Sequence, residues 1–153
     1  MDPELHPDVS ALSALLGTWE GTGTGEYPTI DDFAYHESIT FTHVGKPFLV
    51  YTQRTRHPET GLPMHTESGY WRVPGPGNIE IVMAQPTGLA EIYEGAVVAN
   101  DGTVVIDVHS TSVGATTSAK EVTITERTFS VTGDDMQYTF RMAAVGQPLQ
   151  HHL

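Results

Sequence analysis

The residues best able to do chemistry in this chain are its histidines. There are eight of them and no cysteine among 153 residues. That composition removes disulfides, thiolate zinc sites, cysteine nucleophiles and thiolate-bound haem, and leaves imidazole as the candidate ligand for any metal. Two histidines, His151 and His152, are adjacent at the C-terminus in the run QPLQHHL. Taken alone, such a terminal pair is more often frayed and exposed than ligating. His65 follows Met64 in PMHTESGYWR, where it can reach a ligand with a hydrogen bond or simply fill a strand position. His6, His36, His43, His57 and His109 show no paired ligand spacing. His43, just before Val44 and Gly45, reads as a turn residue. No GxSxG elbow, HExxH helix or Walker loop is present. The acidic pairs Asp31-Asp32 and Asp134-Asp135 fall where turns are expected, and solvated caps explain them better than a sugar-cleaving dyad.

A second distinctive stretch is GTWEGTGTGEYPT, from Gly17 to Thr29. On a strand beginning near Trp19, Gly21, Gly23 and Gly25 share one face. They leave a groove in which something bulky can lie against the backbone. A helical pattern precedes the GTGTG string and strands follow it, the reverse of the order a phosphate-cradling loop needs.

The frame that must hold these residues reads as all-β. Helical periodicity is confined to residues 8–16, where Val9, Leu12, Leu15 and Leu16 share a face, Asp8 or Ser10 caps the start and Gly17 ends it. So short a helix must pack against something larger. Strands are expected at Trp19–Gly25, Tyr35–Val44, Pro47–Arg56, His65–Val73, Asn78–Met83, Ala90–Ala99, Thr103–His109, Glu121–Thr125, Thr128–Val131 and Met136–Ala144. Turn signals separate them, NDG after Ala99 being the clearest. About ten strands with hairpin-sized links imply a single domain over residues 1–153. Its expected form is an antiparallel up-and-down β-barrel of lipocalin or fatty-acid-binding-protein type. A net charge of −12 with seven Lys and Arg disfavours nucleic acid and anionic membranes as partners. The N-terminus lacks a secretory pattern and no apolar run approaches a membrane span, so the cytoplasm is the expected address. Homodimers are common among small barrels, and a monomer is not assumed.

The motifs run in an order that resembles the nitrobindin family. They are GTWEGTG (Gly17–Gly23) followed by GEYPTI, then THVGKPFLVYTQ (Thr42–Gln53), PMHTESGYWR (Pro63–Arg72), SAKEVT (Ser118–Thr123) and MAAVGQPLQHHL (Met142–Leu153). The resemblance spans nearly the whole chain. It implies a ten-stranded barrel carrying a solvent-accessible ferric haem b at one end, with His152 as the proximal iron ligand. A single axial His leaves the opposite face of the iron open to a small molecule. The resemblance also implies haem contacts for Thr29 and Arg127 and places Met64 and His65 near the haem. Arg127 has a competing reading as a surface cation paired with Glu126 or Glu121, and Thr29 as a turn cap after Pro28. The implied activity is nitric oxide binding and isomerisation of peroxynitrite to nitrate at the iron, through O–O cleavage and recombination of the fragments. A non-catalytic carrier of an apolar small molecule would use the same barrel. With only Leu153 beyond it, His152 is expected to be weakly anchored.

Overall fold

The structure is a computed structural model and describes residues 2–153. It opens with a 3-10 helix over Pro7–Leu15. Ten strands follow: β1 (Gly17–Tyr27), β2 (Ile30–His43), β3 (Leu49–Arg56), β4 (Pro63–Arg72), β5 (Asn78–Gln85), β6 (Leu89–Asn100), β7 (Thr103–Ala115), β8 (Val122–Thr132), β9 (Asp135–Ala144) and β10 (Gln150–His151). Each strand pairs antiparallel with the next, in the order β1 to β10. The expected up-and-down barrel is therefore the observed one. No helix among the described residues is long and apolar enough to cross a membrane.

The helix departs from expectation in type. Val9, Leu12 and Leu15 are fully buried, and their spacing of three fits 3.0 residues per turn better than 3.6. Pro7 stands in the first turn and the His6 ring, not Asp8 or Ser10, accepts the Asp8 N–H at 3.1 Å. The helix plugs one end of the barrel, where its three apolar side chains join Ile39, Phe41, Leu49, Trp71, Ile79, Ile106 and Val131. Trp19 ties it to β1 through its indole N–H, which donates to the Leu15 carbonyl at 2.8 Å.

Two expected strands are one. Glu121–Thr125 and Thr128–Val131 merge into β8, which runs unbroken through Glu126 and Arg127. Arg127 points inward to a buried partner, so the strand runs straight through. The count of ten is made up by β10, whose two residues carry no strand pattern in the sequence. The acidic pair Asp31-Asp32 likewise lies at the start of β2. The NDG hairpin forms as read: Asn100 pairs with Thr103 across Asp101 (φ 52) and Gly102 (φ 80), the two left-handed positions of a type I′ turn.

The groove along Gly23 and Gly25 exists, and the protein fills it with its own rings. A Cβ on Gly23 would meet the Tyr35 ring, and one on Gly25 the Phe33 ring. Gly25→Ala is expected to cost about 1–3 kcal/mol by overpacking, read as a lowered denaturant midpoint, with Phe33→Ala relieving part of the loss. An unchanged midpoint in Gly25→Ala would show that Phe33 is free to move.

Candidate functional site

The up-and-down topology sorts the loops. The helix and the β2–β3, β4–β5, β6–β7 and β8–β9 turns lie at one end. The β1–β2, β3–β4, β5–β6, β7–β8 and β9–β10 connections lie at the other. Thr29 in the β1–β2 turn, Met64 and His65 at the start of β4, and His152 just after β10 thus share the open end. Thr29 and Met64 are exposed on its rim, and His65 is half-buried.

His152 is held from both sides. Its N–H donates to the Phe140 carbonyl of β9 at 2.8 Å, and its carbonyl accepts the Glu26 N–H of β1 at 2.8 Å. The Leu153 carbonyl accepts the Phe140 N–H at 2.9 Å. These bonds, with the Tyr27 hydroxyl donating to the Met142 carbonyl at 3.0 Å and accepting the Ala144 N–H at 2.9 Å, bring the first strand against the last. The segment carrying His152 is therefore the seam of the barrel. Weak anchoring, expected from its place in the sequence, is not what is found: main-chain bonds tie His152 to both β1 and β9.

The ring is positioned as firmly. His152 Nδ1 lies 2.9 Å from the Glu26 carbonyl oxygen. A carbonyl can only accept, so Nδ1 carries the proton and Nε2 keeps its lone pair. Tyr27, Phe33 and Phe140 surround the ring at centroid distances of 5.4, 6.4 and 5.8 Å. Burial lowers the pKa of His152 against the opposing pull of the Glu26 carbonyl, and the nearby His151 and His65 lower it further. A neutral imidazole with a fixed tautomer and an available Nε2 is the donor that an iron porphyrin takes, and the aromatic walls suit a flat macrocycle. The residues present fit haem. His151, in contrast, is exposed on β10 opposite Arg141.

Beneath this end lies a layer of buried charge that sequence reading did not find. Arg127 is 6% exposed and forks onto Glu67, Nη1 to Oε2 at 2.6 Å and Nη2 to Oε1 at 3.0 Å. Its Nε donates to the Tyr93 hydroxyl at 2.9 Å, and Nη2 lies 3.8 Å from Glu91. Glu91 also accepts from Tyr93 and from the Thr125 hydroxyl. The Tyr51 hydroxyl donates to Glu67 at 2.7 Å. The reading of Arg127 as a surface cation is thus overturned. Glu126 pairs instead with Arg141 at 2.7 Å, and Glu121 accepts from the Gly146 N–H. Arg127 faces the site through its guanidinium, which lies 4.7 Å from the Phe140 ring centroid, the same ring that packs on His152. Burial pushes the Glu67 carboxyl upward, but the guanidinium beside it and four hydrogen bonds hold it below the usual range. A second cluster joins Glu37 to Gln53 at 3.1 Å and to the Tyr138 hydroxyl at 2.8 Å. The only sequence signal for this layer was a carboxylate or Arg at inward positions of alternating strands, and it is legible only once the register is known.

The other histidines serve turns or the outer wall. His43 Nδ1 accepts the Gly45 N–H, and His57 Nδ1 accepts those of Glu59 and Thr60. No cluster of three metal-ligating side chains occurs among the described residues.

A ten-stranded barrel, plugged at one end and presenting a neutral imidazole of fixed tautomer at the other, has the form of a haem-binding β-barrel. Residues 8–153 match the THAP4-like, heme-binding beta-barrel domain. Peroxynitrite isomerase 2 of Mycobacterium marinum is 53% identical over 153 residues, covering 100% of this chain and 95% of the relative. The peroxynitrite isomerase of Nocardia farcinica is 53% identical over 149 residues, covering 97% and 89%. The crystal structure of Rv2717c from M. tuberculosis superposes with a TM-score of 0.95 at 46% identity, covering 97% of this chain and 94% of that one. The chain belongs to the THAP4-like haem-binding β-barrel family, the nitrobindins.

Proposed function

We propose that this protein is a haem b peroxynitrite isomerase that also binds nitric oxide, with His152 as the axial ligand of a ferric iron. The observation that carries the reading is His152 itself, with its tautomer set by Glu26 so that Nε2 is left as a donor. The relatives named peroxynitrite isomerase, at 53% identity over the whole chain, supply the reaction. Haem, when bound, supplies the Lewis-acidic and redox-active iron at which peroxynitrite rearranges to nitrate.

The protein's own part is positional. Glu26 orients the imidazole, and Tyr27, Phe33 and Phe140 confine its ring. Thr29 and Met64 offer a hydroxyl and a soft apolar contact at the rim. Arg127 enters as part of the floor beneath Phe140, because Glu67 and Tyr93 already occupy its fork and Nε.

The carrier reading places its ligand inside the barrel, where large side chains already stand. Trp71, Tyr51, Tyr93, Phe41 and Phe129 are fully buried and fill the middle. Phe41 and Phe129 meet the Trp71 ring edge-on at 4.9 and 5.0 Å. Titration of the protein with ferric haem is expected to give a saturable one-to-one Soret change. The loaded protein is then expected to speed peroxynitrite decay and raise the nitrate yield in stopped-flow measurements. Haem binding without either effect would remove the isomerase and leave a haem-binding protein.

A further inference from the structure

The buried charge layer reaches the open end through one amide. Gln85, the last residue of β5, places Nε2 2.9 Å from Glu67 Oε1 and 2.8 Å from Glu91 Oε1. Its Oε1 lies 2.8 Å from His65 Nε2. The orientation of this amide is not free. Glu67 is held ionised by the Arg127 fork and can only accept, so the NH2 group must face it. A flipped amide would set its oxygen against the ionised Glu67 carboxylate at 2.9 Å. The amide oxygen is therefore left for His65, and an amide oxygen accepts. His65 Nε2 must carry the proton.

We propose that Gln85 is a positioning residue for the open-end site, holding His65 as the Nε2–H tautomer and leaving Nδ1 outside the Gln85 bond. The His65 main chain is fixed independently, its N–H donating to the Thr55 hydroxyl at 2.9 Å. Neither Glu67, Glu91 nor Arg127 needs to touch the ligand for this to operate. Their charges select the amide orientation, and the amide selects the tautomer. In that tautomer the ring's remaining nitrogen, Nδ1, can act only as an acceptor. This deepens the proposed haem function by assigning the polarity of the side chain beside the ligand, and its relevance to catalysis rests on that reading.

The tautomer can be read without haem. Two-bond 1H–15N correlation spectra of the 15N-labelled, haem-free protein resolve the two ring nitrogens of each histidine, with His65→Gln identifying the signals of His65. The expected pattern for wild type, read on the high-pH plateau where the ring signals no longer move, is a protonated Nε2 and an unprotonated Nδ1. In Gln85→Met, which removes the amide at similar size, the two nitrogens are expected to move toward each other as the tautomers mix. A wild-type ring protonated at Nδ1, or a pattern unchanged by Gln85→Met in a folded protein, overturns the proposal. The wild-type spectrum decides even where Gln85→Met fails to fold. Because no haem is present, failed haem titration with the expected spectrum removes the proposed function and leaves the relay standing.

Discussion

Arg127→Leu is expected to destabilise the barrel by about 3–5 kcal/mol, the usual cost of stripping one partner from a buried ion pair. The size follows from what is left behind. Glu67 and Glu91, at 6% and 2% exposure, would lose the one guanidinium that bonds to Glu67 and lies 3.8 Å from Glu91. Tyr93 would lose the donor to its hydroxyl, and Phe140 the cation behind its ring. Denaturant unfolding measures this directly. Arg127→Leu combined with Glu67→Gln is expected to fall well short of the sum of the two single losses, since the neutral amide no longer strands a charge. Strict additivity would mean that the pair contributes nothing specific. The same pair sets a pH dependence. Glu67 is held below the ordinary carboxylate range, so its contribution is complete above that range and is lost as pH falls through its lowered value. In Arg127→Leu this acid-dependent loss is expected to disappear, so the stability gap between variant and wild type should narrow as pH falls through that range. Glu37, pushed upward by burial against its bonds to Tyr138 and Gln53, acts in the opposite sense: its contribution is complete below the ordinary range and fades as pH rises through its raised value.

His152→Ala is expected to abolish saturable haem binding, a loss beyond the roughly 10–100-fold that follows from disturbing a ligand's outer partner alone. His151→Ala is expected to leave binding unchanged. The contrast is sharp because the two residues are neighbours with opposite surroundings. His152 sits in the seam among three aromatic rings with Nδ1 committed to Glu26, whereas His151 faces outward across from Arg141. Folding should survive His152→Ala, since the seam bonds at this position are main-chain bonds to Glu26 and Phe140. A Soret titration that saturates equally in wild type and His152→Ala would remove His152 as the ligand. Loss of binding in His151→Ala would move the role one residue along the chain.

The residues divide cleanly by how far their meaning travels along the chain. Strand periodicity, the NDG hairpin and the Val9, Leu12, Leu15 stripe are local, and each was legible because short-range sterics and an apolar face decide it. The glycines of β1 announced a groove, but only the register against β2 showed that Phe33 and Tyr35 fill it. The ordered motifs pointed to His152 by resemblance, while its anchoring depends on main-chain bonds to Phe140 and to Glu26, 126 residues away. Arg127 is the plainest case. Beside Glu126 it falls between two expected strands, and only the closed barrel brings it to Glu67, 60 residues away. The sequence by itself determined an antiparallel β-barrel and, through its ordered motifs, singled out His152 as the candidate ligand at one end. Tertiary structure alone decided which charges are buried and which nitrogen of His152 carries its proton, because those bonds are set by atoms across the barrel and not by the neighbour along the chain.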